Sequence, residues 1–234
     1  MPGAGRKLRN MRKQTSIGEG GAKNQMDQLF QQEQKGEGVA VAAEDVDDEG
    51  LSDIDIQHFI NRTQCIQNKR AKVVAADELE SKKRLGHGQI RITNTMDRAS
   101  GGEHWILFHI QKINKKYIVN YFDPVGECLL DYHPNIKKFF QNYNMVICNK
   151  GIPVQHDGKS SVFSSTCGMH CAFVAWLLCN QPKKYKSLND VMRVYDISNS
   201  YHGVNYNECM VLYNMCKIYG KKMCKRLKKL PGCK

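Results

Sequence analysis

Residues 104–123 read HWILFHIQKINKKYIVNYFD. Two runs rich in β-branched and aromatic residues, Trp105–Ile110 and Tyr117–Phe122, flank a polar connection of hairpin length, Gln111–Lys116. This pattern predicts two antiparallel strands, and Pro124 and Gly126 end the second. In an antiparallel pair the beginning of one strand lies beside the end of the other. His104 immediately precedes the first strand and Asp123 immediately follows the second, so both are expected at one edge of one sheet. An imidazole beside a carboxylate is what a general base needs, because the carboxylate fixes the tautomer and stabilises the imidazolium. Such pairs also arise for structural reasons alone.

Other elements gather around this hairpin. Gln89–Asn94 alternates as a strand does, Met145–Cys148 is a third strand candidate for the same sheet, and Lys72–Ala75 is a short strand or loop. Asp77–Leu79 suits a helical turn. Ser52–Asp55 has the composition of a helix start, with Ile56, Phe59 and Ile60 spaced to share one face. The stretch CGMHCAFVAWLLC, Cys167 to Cys179, is apolar on nearly every side and predicts a buried helix. Ser164, Ser165 or Thr166 is expected to cap it, and Pro182 lies just past its end. Residues 185–225 are expected to hold two more helices.

Cys167 then stands at a helix N-terminus, where unsatisfied N–H groups and the dipole favour a thiolate. A nearby imidazolium would favour it further and ready the sulfur to attack a carbonyl. Gly168 removes bulk beside the sulfur and would let a substrate carbonyl approach the backbone. Cys171 and Cys179 lie deeper in the helix and, with Cys209 and Cys216, are expected to be reduced, packed thiols. An oxyanion needs donors already in place. The Cys167 N–H is one candidate and the Gln155 side-chain amide another, although a loop glutamine is more often simply exposed.

The 234 residues allow one sizeable core with tails. Expected boundaries are a disordered arm over 1–50, a folded domain over 51–215 and a basic tail over 216–234. The arm runs from Arg6, Lys7, Arg9, Arg12 and Lys13 into the acidic stretch Glu44–Glu49, with too little apolar surface to offset the entropy of ordering. No stretch approaches the roughly 20 apolar residues of a membrane span, and no secretory signal opens the chain. Ten cysteines without any Cys-x-x-Cys do not suggest a zinc knuckle. A net charge of +12, with no acid after Glu208, favours polyanionic partners.

Taken together, Gly101-Gly102-Glu103-His104-Trp105, Tyr121-Phe122-Asp123-Pro124-Val125-Gly126, Pro153-Val154-Gln155 and Thr166-Cys167-Gly168-Met169-His170-Cys171 resemble adenain, the adenovirus-type maturation protease family, and more broadly the ubiquitin-like-protein-specific proteases. Val73–Leu79 and Asn94-Thr95 resemble adenain-type sequences of large DNA viruses and polinton-like elements. The resemblance spans roughly residues 50–180. It implies an α+β fold of the papain-like, adenain-like kind, a mixed or antiparallel sheet packed on the helix that carries the nucleophile. It also implies Cys167 as nucleophile, His104 as base, Asp123 as orienting acid, Gln155 as oxyanion donor and Trp105 packed beside the histidine to narrow the site. Cleavage at small, glycine-containing sites in viral precursor proteins follows from the same resemblance, in a virion and in the host nucleus or cytoplasm. So does stimulation by double-stranded DNA, which the basic tail suits. No metal or cofactor is needed for the chemistry, and a monomer is expected.

Two departures stand out. Gln155 lies farther before Cys167 than in adenain, so 156–163 must loop out, and Asp123 replaces a glutamate. The family's peptide activator is not carried over, because Cys148 is out of register. An isopeptidase acting on ubiquitin-like modifiers would use identical residues. A non-catalytic, basic nucleic-acid-binding virion protein would explain the charge, but not three chemically matched residues at strand and helix ends. A zinc site at Cys167, His170 and Cys171 lacks a second cluster. Gly20-Gly21-Ala22 is a candidate self-cleavage point, although the preceding residues match the family's substrates poorly.

Overall fold

The computed structural model describes residues 51–67, 70–80, 82–128, 133–155, 166–198 and 201–220. The chain divides into two units, 1–45 and 46–234, and every described residue belongs to the second. The expected arm with its Gly20-Gly21-Ala22, and the tail beyond 220, lie outside the described residues. The elements are α1 (Asp53–Ile60), α2 (Gln64–Gln67), β1 (Ala71–Val74), β2 (Ile90–Asn94), β3 (Trp105–Ile113), β4 (Lys116–Phe122), α3 (Pro134–Phe140), β5 (Met145–Cys148), α4 (Cys167–Asn180), α5 (Leu188–Met192) and α6 (Tyr201–Tyr219).

The hairpin forms with longer strands and a tighter turn than its polar connection suggested. Ile113 pairs with Lys116, and the two residues between them, Asn114 and Lys115, have φ of 49° and 66°. Positive φ at both central positions matches the right-handed twist of the flanking strands. The five strands lie in the order β1-β2-β3-β4-β5. β2, β3 and β4 are antiparallel neighbours, while β1 and β5 join the edges in parallel, so the sheet is mixed and the fold is α+β.

Both faces of the sheet are covered. Ile106, Phe108, Ile110, Val119 and Tyr121 pack against Ile136, Phe139 and Phe140 of α3 and against Ala76, Leu79 and Leu85. Helix α4 packs against β3 and is itself surrounded by α1, α2, α5 and α6. Only Trp176 and Asn180 of its fourteen residues escape full burial, as a helix apolar on all sides requires. Double coverage also explains β2, which forms where the alternating stretch predicted a strand. All five of its residues are buried, and Arg91 is accommodated through bonds from its Nε and Nη2 to Glu80 at 2.7 and 3.1 Å.

Helix α1 starts where expected, with Ser52 and Asp55 forming a capping box and Ile56, Phe59 and Ile60 buried. The packed region runs through α6 to Tyr219, past the expected boundary at 215. The Tyr219 hydroxyl donates to the Phe59 carbonyl at 3.1 Å, and the two rings meet edge to face. The expectation of packed thiols holds for Cys171, which is free and buried, but not for the others. Cys179 is disulfide-bonded to Cys65, joining the end of α4 to α2, and Cys209 and Cys216 are also disulfide-bonded. A pairing partner far away in sequence leaves no trace in local apolar patterning. Among the described residues no helix is long and apolar enough to cross a membrane.

Candidate active site

The register of the hairpin sets the site. Leu107 pairs with Phe122, so β3 begins where β4 ends, and the Thr95 N–H holds the His104 carbonyl at 2.9 Å. His104 Nε2 lies 2.9 Å from Asp123 Oδ1. Asp123 is fully buried, and its carboxylate also accepts the Val125 N–H at 3.0 Å and the Cys128 N–H at 3.3 Å. Its backbone is clamped by Asn149, which follows β5: Asn149 Oδ1 accepts the Asp123 N–H at 2.9 Å and Nδ2 donates to the Asp123 carbonyl at 2.7 Å. Asn149 has no signature in the sequence. Only the parallel pairing of β4 with β5 brings it here.

Two glycines are required by close approach. Gly102 has φ +73°, and a Cβ there would lie 1.9 Å from the Asn94 side chain. Gly126 has φ +75°, and a Cβ would lie 2.8–2.9 Å from backbone atoms of Ile152 and Pro153. Gly126 thereby admits the loop that carries Gln155. Val154 and Gln155 donate their N–H groups to the Pro124 carbonyl at 2.8 and 3.1 Å, one residue past Asp123. The Gln155 side chain is buried, and its Oε1 has no partner. The atom left without a partner is the acceptor oxygen, whereas an oxyanion would call on the Nε2 donor of the same carboxamide.

Cys167 stands close enough to His104 to favour the charged form of the imidazole. Burial disfavours the imidazolium, but the bond to Asp123 and the charges of Asp123 and Cys167 outweigh it, and the pKa is pushed up to about 10. Cys167 is the first residue of α4 and is buried. Cys171, one turn deeper, donates to the Trp105 carbonyl at 3.3 Å, and burial, reinforced by Cys167 and Asp123, pushes its thiol well above the ordinary range. His170 turns toward Glu208. The three candidate zinc ligands thus point to different partners, and no group of three or more His, Cys, Asp or Glu with metal-holding geometry occurs among the described residues.

For Trp105 and Gly168 the structure gives a different physical reason than expected. Trp105 is buried and its indole N–H donates to the Leu51 carbonyl at 3.1 Å. A Cβ on Gly168 would lie 2.9 Å from Ile56, 3.2 Å from Leu51 and 3.3 Å from Trp105. Both residues belong to the layer that seats α1 against the start of α4, and packing accounts for the missing side chain at 168.

Beneath the start of α4 lies a cluster that sequence patterning did not find. Glu208 of α6 is fully buried, accepting the Thr166 hydroxyl at 2.8 Å, with His170 Nε2 3.1 Å from its other oxygen. His170 stacks on Tyr195, whose ring also stacks on Phe122, the residue before Asp123. One signal was available: Glu208 is the last acid of the chain and adjoins the apolar run Cys209–Leu212.

A family model described as adenovirus endoprotease matches residues 84–220. Among solved structures, the ASFV pS273R protease is similar at 11% identity and a TM-score of 0.41, the match covering 69% of this chain and 67% of that one. A deletion variant of AvrA with IP6 and CoA is similar at 16% identity and a TM-score of 0.38, covering 68% of this chain and 56% of that one. No curated protein matches the chain.

Proposed function

The chain belongs to the adenovirus endoprotease family and is a cysteine protease, and from that premise we propose that it cleaves peptide bonds through Cys167, His104 and Asp123. The observation that carries this proposal is the position of His104, 2.9 Å from a buried carboxylate and near enough to Cys167 for that side chain to favour its charged form. The Cys167 sulfur attacks the scissile carbonyl carbon as a thiolate, paired with a His104 imidazolium that Asp123 steadies. The oxyanion accepts from the Cys167 N–H and from the Gln155 amide. His104 then passes its proton to the leaving amine, whose departure leaves a thioester on Cys167. A water molecule attacks the thioester as His104 takes its proton. The carboxylic product leaves and the thiolate–imidazolium pair is restored.

The substrates proposed are viral precursor and structural proteins, cut at small, glycine-containing sites in a virion or in the host nucleus or cytoplasm. Family membership supports that choice. Double-stranded DNA is proposed as an activator, supported by the charge of +12 and a C-terminal stretch without acids; its binding should weaken steeply with salt.

The test is cleavage of a Leu-x-Gly-Gly peptide carrying a fluorogenic leaving group. Wild type and Cys167→Ala are compared, each with and without double-stranded DNA. The expected outcome is cleavage abolished in the variant and increased by DNA in the wild type. Persistent cleavage by Cys167→Ala would remove that residue as nucleophile. Cleavage of a ubiquitin-like fusion in preference to the peptide would move the substrate class to modified proteins.

A further inference from the structure

Helix α4 begins in an unusual way. A Ser or Thr before a helix ordinarily takes an extended conformation and turns its oxygen back to accept an N–H of the first turn. Thr166 instead has φ −94° and ψ −2°, and its side chain makes no cap bond. Its hydroxyl donates to Glu208 Oε1 at 2.8 Å. Glu208 is held in turn by His170 Nε2 at 3.1 Å, and His170 by its stack on Tyr195 and a 3.4 Å contact from Nδ1 to the tyrosine hydroxyl. Glu208, His170 and Thr166 are all nearly inaccessible to solvent. The Met169 and His170 N–H groups find the Thr166 carbonyl at 2.9 and 3.0 Å. Among the described residues the Cys167 and Gly168 N–H groups find no acceptor.

We propose that Glu208 is a positioning residue for the proteolytic reaction. By holding the Thr166 hydroxyl it keeps the first turn of α4 uncapped, so that the Gly168 N–H, the group a cap would take, stays free beside the Cys167 N–H as a further donor to the sulfur and to the substrate's oxyanion. This rests on Cys167 being the nucleophile. A buried carboxylate is a costly way to hold one hydroxyl, and a helix start is normally stabilised by the very bond that is missing here. The arrangement makes sense where open N–H groups are needed. Glu208 touches neither substrate nor sulfur; it acts through Thr166.

The test compares wild type, Glu208→Gln, Glu208→Ala and the double variant Glu208→Ala/Thr166→Val. Two quantities are read on each: kcat and KM for the fluorogenic peptide, and the iodoacetamide labelling rate of the Cys167-containing peptide from pH 5 to 9. Glu208→Gln keeps an acceptor for the hydroxyl and should stay within about threefold of wild type. Glu208→Ala frees Thr166 to cap the first turn, and kcat should fall about 100-fold, the scale of one lost oxyanion donor, with KM little changed. The acid limb of its labelling profile should move to higher pH. Valine at 166 cannot cap, so the double variant should recover most of the loss in both readouts.

Equal impairment of the single and double variants, or an unaltered labelling profile in Glu208→Ala, would overturn the proposal. Should Glu208→Ala fail to fold, the same comparison is made in Glu208→Leu/His170→Leu, which replaces the buried ionisable pair by apolar groups. In that background Thr166→Val should raise kcat, and no increase would overturn the proposal. Failure of the premise looks different: wild type itself would then label only as an ordinary thiol, above about pH 8.

Discussion

His104 and His109 sit on either side of the β3 start and respond to burial in opposite ways. His104 is half-buried, but two partners that favour its charged form outweigh the desolvation and raise its pKa to about 10. His109 is buried with Nδ1 unpartnered, and burial, with His87 nearby, lowers its pKa to about 4. The unfolded value for both is about 6.5. A raised pKa contributes stability that is fully present below about pH 6.5 and is lost as pH climbs toward 10. A lowered histidine pKa costs stability in the other direction: below about pH 6.5 the unfolded chain binds a proton that the folded chain refuses, and the loss continues down to about pH 4. Urea unfolding from pH 4 to 10 is therefore expected to show declines on both sides of a maximum near pH 6.5. Asp123→Asn should flatten the alkaline limb and His109→Gln the acid limb. An alkaline limb unchanged by Asp123→Asn would deny the carboxylate its part in charging His104.

At the level of elements, the site depends on how closely two loops approach the end of β4. Gly126 and Gly101 offer a matched comparison, since both have positive φ, +75° and +79°, but only Gly126 faces backbone within 3 Å. Gly101→Ala should cost about 1 kcal/mol, the strain of a side chain in the left-handed region. Gly126→Ala adds a clash with the Ile152–Pro153 backbone and should cost a further 1–3 kcal/mol or so. It should also lower kcat per folded molecule, because the displaced loop carries Gln155 and is tied to Asp123 through Asn149 and Pro124. Urea unfolding and kcat measured on both variants decide the matter, and equal losses would mean that the close approach carries no weight. The hairpin teaches a related lesson. Its polar connection was visible from composition, whereas the two-residue turn follows from pairing that continues until the backbone must reverse.

Across the whole molecule, α4 is held at both ends by distant parts of the chain. Glu208 of α6 meets its start and the Cys65–Cys179 disulfide pins its end, some 20 Å away for a helix of this length. That disulfide spans a sequence separation of 114, for which the chain-entropy account gives a stabilisation of about 4–5 kcal/mol. Thermal unfolding of Cys65→Ser is expected to drop by on the order of 10 °C, with kcat of the folded fraction nearly unchanged because the staple is remote from Cys167. A kcat that falls in step with the melting temperature would mean that the far end of α4 helps to set the position of Cys167. The sequence alone was enough to determine the hairpin, the meeting of His104 with Asp123, and a buried helix beginning at Cys167. These rest on local periodicity and on one rule of antiparallel pairing, both written in consecutive residues. The parallel edges of the sheet, the Asn149 clamp, the disulfide, the packing reason for Gly168 and the diversion of Thr166 by Glu208 were decided only in three dimensions. Each depends on which far-separated segments are driven together when the apolar faces of the whole chain are buried at once, and no local pattern encodes that choice.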